Sequence, residues 1–140
     1  MNMFNTNSTT VMQSKLLLGL GIDPRTADLT LHDEERDIPL WSMMRLIDMI
    51  PGFIVDDDGY TYSFTISKGT YVYNLSYTRK TKHGEKTLIS FHNPVDSFGE
   101  TVILIIKWLF DMKLFPTKYM AKYVKKNQKL NKVKHLLFSL

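Results

Sequence analysis

The chain has 140 residues, of which 44% are apolar and 12% aromatic, so it has enough apolar residues for one hydrophobic core but too few residues for a second full domain. It contains no cysteine, and its longest apolar run, residues 101–106, is far shorter than the ~20 apolar residues that cross a bilayer. No secretory leader is recognisable at the start. These features predict a cytoplasmic protein that neither is exported nor spans a membrane.

The net charge of +4 is divided unevenly along the chain. Residues 1–112 carry ten Lys and Arg against fourteen Asp and Glu, a net charge of −4. Residues 113–140 carry eight Lys and no carboxylate, a net charge of +8. A basic segment attached to a mildly acidic body indicates an anionic partner, which would be nucleic acid, a membrane surface or an acidic protein face.

The first third of the chain predicts two helices. Residues 1–13 are expected to be a polar, flexible arm, which overlaps the start of a short helix, VMQSKLLLGL, that Gly19 or Gly21 closes. Residues 22–38 contain a Pro turn and an acidic cluster and are expected to be an irregular connector. The second helix is PLWSMMRLIDMI, with Asp37 as its N-cap and Pro39 in its first turn, and Pro51-Gly52 ends it.

From Phe53 the apolar residues alternate, which predicts three or four short antiparallel strands. Asp58-Gly59 and Lys68-Gly69 mark the first two turns, and RKTKHGEK is expected to form a longer third loop. The strands are rich in tyrosine, which could either fill the core or stack on nucleic-acid bases. Core packing is favoured, because one row of alternating side chains must face the helices; the tyrosines are Tyr60, Tyr62, Tyr71, Tyr73 and Tyr77.

A third helix is predicted over residues 94–112, with Asn93 as its N-cap, and it is expected to cover the sheet. Pro116 interrupts the chain, and Thr117 is the expected N-cap of a basic amphipathic helix over residues 116–140. The fold class is therefore α+β: a three- to four-stranded antiparallel sheet covered by two helices, with the basic helix appended to a domain over residues 14–115.

Several patterns that suggest a catalytic or metal site have simpler interpretations. GLGID at residues 19–23 follows a helix and lacks the third glycine of a dinucleotide-binding loop. DDDG at residues 56–59 lacks the closing Glu of a calcium loop. Neither the acidic cluster of the connector nor the sequence neighbours Ser90, His92 and Asp96 show a feature that would activate them. The histidines are scattered and no cysteine accompanies them, so no metal and no cofactor is expected; they are His32, His83, His92 and His135.

The order of these segments resembles a group of small uncharacterised proteins encoded by phages and prophages of Bacteroidetes bacteria. The similarity covers about residues 14–112. It rests on four residue pairs and one proline that look like caps, stops and core positions, namely Ala27-Asp28, Trp41-Ser42, Pro51, Asn93-Pro94 and Trp108-Leu109. The resemblance implies a phage origin and a bacterial cytoplasmic setting. It supplies no catalytic residues, because the group has no assigned reaction, and the lysine-rich end departs from its usual pattern.

The sequence therefore favours a non-catalytic phage accessory protein that binds a macromolecular partner, with nucleic acid as the first expectation. Two alternatives remain open: a homo-oligomeric or virion protein assembled through the basic helix, and a phage inhibitor of host defence that binds a host protein or a signalling nucleotide. The predicted binding residues are Lys118, Tyr119, Lys122, Tyr123, Lys125, Lys126, Lys129, Lys132 and Lys134 in the basic segment and Arg79, Lys80 and Lys82 beside the sheet.

Overall fold

The computed structural model describes residues 8–94 and 98–122. Within them the protein is an α+β fold with a two-stranded and a four-stranded antiparallel sheet, which confirms the predicted fold class. The helices are α1 (Val11–Leu20), α2 (Met43–Met49) and α3 (Phe98–Asp111). The strands are β1 (Leu29–His32), β2 (Asp37–Leu40), β3 (Phe53–Val55), β4 (Thr61–Lys68), β5 (Val72–Thr81) and β6 (Gly84–Pro94).

Helix α1 begins and ends as the sequence predicts. The Thr10 hydroxyl accepts a hydrogen bond from the Gln13 amide, and the Gln13 side chain accepts one from the Thr10 amide, which together satisfy two free amides of the first turn. Gly21 ends the helix with φ of 112°, a conformation that glycine adopts without steric cost. Thr9 is buried, so residues that the sequence assigns to a flexible arm belong to the folded body.

The expected connector over residues 22–38 is partly wrong, because its second half forms a hairpin. Strand β1 pairs with β2 from Leu29 opposite Leu40 to His32 opposite Asp37. Asp37 and Pro39 are therefore strand residues and do not begin a helix, and α2 starts later with Ser42 as its N-cap. Asp37 and Pro39 each carry a signal for a helix start. This signal is outweighed because both residues belong to a segment that pairs with β1 over four residues.

The four-stranded sheet has the simple order β3-β4-β5-β6, in agreement with the predicted antiparallel meander. One face is apolar and packs against the helices, and it carries the buried Ile54, Tyr62, Leu75 and Tyr77. The opposite face, called here the open face, is lined mainly by Ser and Thr. The third loop is shorter than expected, because β5 and β6 remain paired up to Thr81 and Gly84.

Helix α3 covers this sheet, as predicted, and buries seven side chains: Phe98, Thr101, Val102, Ile103, Ile105, Ile106 and Leu109. Its predicted cap is wrong. Asn93 and Pro94 pair with Tyr73 and Val72 as the last residues of β6, so neither lies in the helix. Pro94 fits there because a strand end does not need its missing amide. Asp96 lies outside the described residues.

The chain after α3 returns to the beginning of the fold. Phe115 is buried, residues 117–119 form a single 3-10 turn, and Met120 pairs with Ile22 in an antiparallel bridge. Thr117 therefore begins a 3-10 turn and does not cap a long helix. The rest of the predicted basic helix, residues 123–140, lies outside the described residues. No helix within the described part of the chain is long and apolar enough to cross a membrane.

Candidate nucleic-acid interface

The strands β5 and β6 project as a two-stranded ribbon whose end is strongly basic. The pairing of β4 with β5 ends at Ser63 opposite Thr78, whereas β5 and β6 stay paired as far as Thr81 opposite Gly84. We call residues 79–86, which lie beyond the pairing of β4 with β5, the basic tip. It contains four cations and one carboxylate, namely Arg79, Lys80, Lys82, Lys86 and Glu85.

Arg79 is the best-positioned cation of the basic tip. Its guanidinium carbon lies 3.9 Å from the ring centroid of Tyr60 and 5.6 Å from that of Tyr62. The distance to Tyr60 is well within the range of a cation–π contact. Its Nε atom is buried and has no hydrogen-bond partner among the described residues. The aromatic contact therefore holds the guanidinium beside Tyr60, and the buried Nε is not accessible to a ligand in this arrangement.

Tyr60 is held by the loop that precedes β4. One carboxylate oxygen of Asp56 accepts hydrogen bonds from the amides of Asp58 and Tyr60, the latter at 2.8 Å. Gly59 has φ of 86°, so the turn requires its conformational freedom. Tyr60 remains 49% exposed. An exposed aromatic ring beside a fixed guanidinium is a combination that binds unpaired bases in single-strand binding proteins.

The lysines of the basic tip are exposed, and one of them faces a carboxylate across the two strands. Lys80 lies opposite Glu85 in the β5–β6 pairing, which favours a cross-strand interaction of opposite charges. Arg79 lies opposite Lys86, and Lys82 occupies the turn, so these three cations have no facing carboxylate in that pairing. Arg79 and Lys86 therefore lie on the helix-covered face, whereas Lys80 and Glu85 lie on the open face and Lys82 is in the turn between the strands.

The predicted residues near the C-terminus belong to a different part of the molecule. Tyr119 is half-buried: its ring centroid lies 6.2 Å from that of Phe115, and the cationic groups of Arg45 and Lys118 approach it to 5.5 and 4.9 Å. It packs on the body instead of standing free. Lys118 and Lys122 are exposed. The remaining predicted residues lie outside the described residues; they are Tyr123, Lys125, Lys126, Lys129, Lys132 and Lys134.

The tyrosines of the sheet are mainly core residues, as the sequence favoured. Tyr62, Tyr73 and Tyr77 are at most 3% exposed, which excludes base stacking on their rings in this fold. Burial also raises the pKa of the Tyr77 phenol above its ordinary value. Of the five tyrosines in this region, Tyr60 and Tyr71 present substantial ring surface to solvent.

The residues considered for catalysis occupy ordinary structural roles. Ser90 and His92 lie on the open face, where the Ser90 hydroxyl donates to the Asn74 side chain. In the acidic cluster, Asp37 contacts His32 at 2.8 Å on the surface of the hairpin. Within residues 8–94 and 98–122, no three His, Cys, Asp or Glu side chains are grouped so as to hold a metal ion. His135 lies outside these ranges.

The stacking of Arg79 on Tyr60 was not found from the sequence. The two residues are far apart along the chain, and no spacing rule connects them. The register of β4 against β5 brings Arg79 beside Tyr62 and the adjoining Tyr60, and that register is a property of the folded sheet. The one signal in the sequence was the alternation that places Tyr62 and Arg79 on the helix-covered face of their strands.

Comparisons of the chain with protein-family models, with curated proteins and with solved structures find no match. The similarity to phage-encoded proteins therefore stays a prediction from the sequence. The geometry of the described residues has to support any function by itself.

Proposed function

We propose that this protein is a non-catalytic accessory protein that binds nucleic acid through the basic tip, with the lysines of residues 113–140 as a second contact. The resemblance stated above leads us to expect this role in a phage-infected bacterial cytoplasm. The observation that carries the proposal is the Arg79–Tyr60 stack at the end of a ribbon with three further lysines. It combines a stacking surface with charges that would neutralise phosphates.

The charge distribution supports a phosphate backbone as the partner. Lysines bind phosphates as point charges, and each neutralised phosphate releases condensed counterions, so affinity falls as salt rises. The exposed ring of Tyr60 favours a single strand, because bases in a duplex are not free to stack on a side chain. We therefore expect single-stranded DNA or RNA to bind more tightly than a duplex of the same length.

The test is fluorescence anisotropy with labelled single-stranded and duplex oligonucleotides at several salt concentrations. We expect the double variant Lys80→Ser/Lys82→Ser to weaken binding and to reduce the slope of log affinity against log salt by about 0.7 for each phosphate of a single strand that the variant no longer neutralises. The matched control is Lys15→Ser/Lys107→Ser, which removes two exposed lysines from α1 and α3. The control should change affinity less than the tip variant.

The stacking contact needs its own variant. Arg79→Lys keeps the charge and removes the planar guanidinium, so we expect weaker binding with little change in the salt slope. Absence of binding at low salt would contradict the proposal. So would an equal loss of affinity in the tip variant and the control, because binding would then follow net charge alone.

A further inference from the structure

Strand β6 is a long edge strand, and this feature is independent of the proposed nucleic-acid contact. It spans Gly84–Pro94 and pairs only with β5 among the described strands. The other edge of the same sheet, β3, has three residues. A long edge presents a row of unpaired amides and carbonyls to which another strand can add, whereas a very short edge does not.

The second half of β6 lacks the features that usually prevent such pairing. In β6 as a whole, the charged residues Glu85 and Lys86 are confined to the beginning of the strand, and Pro94 is the last residue. The pairing with β5 shifts register between Tyr77 and Thr78, which leaves Leu88 as the bulged residue of β6. Residues 89–93 beyond the bulge are therefore regular and carry no Asp, Glu, Lys or Arg, and Ile89 and Phe91 are residues that favour strands.

The two faces of this segment differ in a way that suits a copy of itself. Ile89 and Phe91 lie half-buried on the helix-covered face, at the margin of the core. Ser90 and His92 are exposed on the open face, opposite Ser76 and Asn74 of β5. An antiparallel partner must place apolar side chains beside the first pair and hydrogen-bonding side chains beside the second.

We propose that residues 89–93 of β6 pair in antiparallel fashion with the same residues of a second copy of this chain, joining two four-stranded sheets into one of eight strands. A two-fold axis at Phe91 generates this arrangement, because a two-fold axis within a sheet makes identical strands antiparallel. Phe91 then meets Phe91 on the helix-covered face, and Ser90 meets His92 twice on the open face. Glu85 and Lys86 stay outside the paired segment, so no like charges meet.

The register makes the proposal testable with matched charge variants. Ser90→Lys/His92→Lys places two lysines opposite each other at two symmetry-related positions, and we expect the dissociation constant of the dimer to rise about tenfold or more. Ser90→Lys/His92→Glu carries the same change at Ser90 but places opposite charges together, so it should dimerise at least as well as the unaltered chain. Circular dichroism checks that both variants keep the native fold.

Sedimentation equilibrium of the full chain and both variants, over a wide range of protein concentrations, measures these dissociation constants. The expected result is a dimer of the unaltered chain that the Lys/Lys variant weakens and the Lys/Glu variant retains. A monomer at every concentration would overturn the proposal, as would equal behaviour of the two variants. A version ending at Lys122 should dimerise like the full chain, and loss of the dimer in that version would assign the contact to residues 123–140 instead.

Discussion

Single polar side chains connect the short segments of the N-terminal half. The carboxylate of Asp28 accepts hydrogen bonds from the amide and hydroxyl of Ser42, the N-cap of α2. The indole of Trp41 donates to the Thr26 hydroxyl at 2.9 Å, and Arg45 donates to the Thr26 carbonyl at 2.9 Å. Asp28, Trp41 and Ser42 thus position α2, which agrees with the structural role predicted for the residue pairs that contain them.

Replacing Asp28 with Asn should destabilise the fold in a pH-dependent way. Desolvation opposes ionisation of Asp28, but the hydrogen bonds from Ser42, together with a backbone hydrogen bond and the charge of Arg45, outweigh it and lower the pKa of the carboxyl. A lowered pKa in the folded state adds stability above the unfolded pKa of about 4, and this stability is lost as the pH falls through the folded value. We expect Asp28→Asn to cost about 1 kcal/mol at neutral pH, and less in acid.

Urea unfolding of both proteins between neutral pH and acid measures this difference. Asp48→Asn is the control, because Asp48 is an exposed residue of α2 outside this hydrogen-bonded cluster. A stability difference for Asp28→Asn that does not shrink in acid would contradict the role assigned to the Asp28 carboxylate.

Tyr77→Phe should destabilise the protein by about 1–2 kcal/mol, because the phenol donates a 2.7 Å hydrogen bond to the Pro51 carbonyl from a buried position. A raised pKa in the folded state means that the neutral phenol stabilises the fold below about pH 10 and that this stability is lost as the pH rises further. Urea unfolding at neutral and alkaline pH should show the two proteins converging. Tyr71→Phe, at an 80% exposed position, should have little effect.

At the scale of elements, local signals succeeded where an element depends on its own residues. Helix α1 carries its capping residues within its own sequence, and Gly21 terminates it as predicted. Helix α2 differs, since its cap is reinforced by Asp28 from the segment before β1. The β1–β2 hairpin likewise depends on the pairing of two weak strand segments with each other.

Gly19 inside α1 and Gly21 at its C-cap should respond in opposite ways to alanine. Gly21→Ala places a side chain at φ of 112°, so we expect a loss of about 1 kcal/mol or more. Gly19 is inside the helix, and an added Cβ would meet no atom within 4 Å. Gly19→Ala should therefore stabilise the protein by about 0.5–1 kcal/mol. Thermal unfolding of both variants tests this pair, and a stabilising Gly21→Ala would contradict the assigned cap.

At the scale of the whole molecule, both ends of the described chain are built into one core. The amide of Ala121 donates to the Gly21 carbonyl at 2.8 Å, and that of Asp23 donates to the Tyr119 carbonyl at 2.9 Å. Met120 is 1% exposed. The folded body therefore extends past Phe115, where the sequence placed its boundary, and the division between acidic body and basic end does not coincide with a structural boundary.

Two truncations should separate these boundaries. A chain ending at Lys122 keeps Met120 and its contacts, so its free energy of unfolding should be close to that of the full chain. A chain ending at Phe115 loses the buried Met120 side chain and the bridge to Ile22, which should cost about 2–3 kcal/mol or more. Urea unfolding compares the two, and equal stability of both truncated chains would contradict the role of residues 116–122.

The sequence by itself determined the fold class, helix α1, an antiparallel sheet of three or four strands and the presence of a helix that covers it. Each of these follows from hydrophobic periodicity and from caps or turns within a few residues, which act locally. Only the tertiary structure decided the β1–β2 hairpin, the late start of α2 and the continuation of β6 through Asn93 and Pro94. In each case, pairing or capping by residues outside the segment itself outweighed a local signal of similar strength. For the same reason the Arg79–Tyr60 stack and the long edge of β6 emerged only with the strand register.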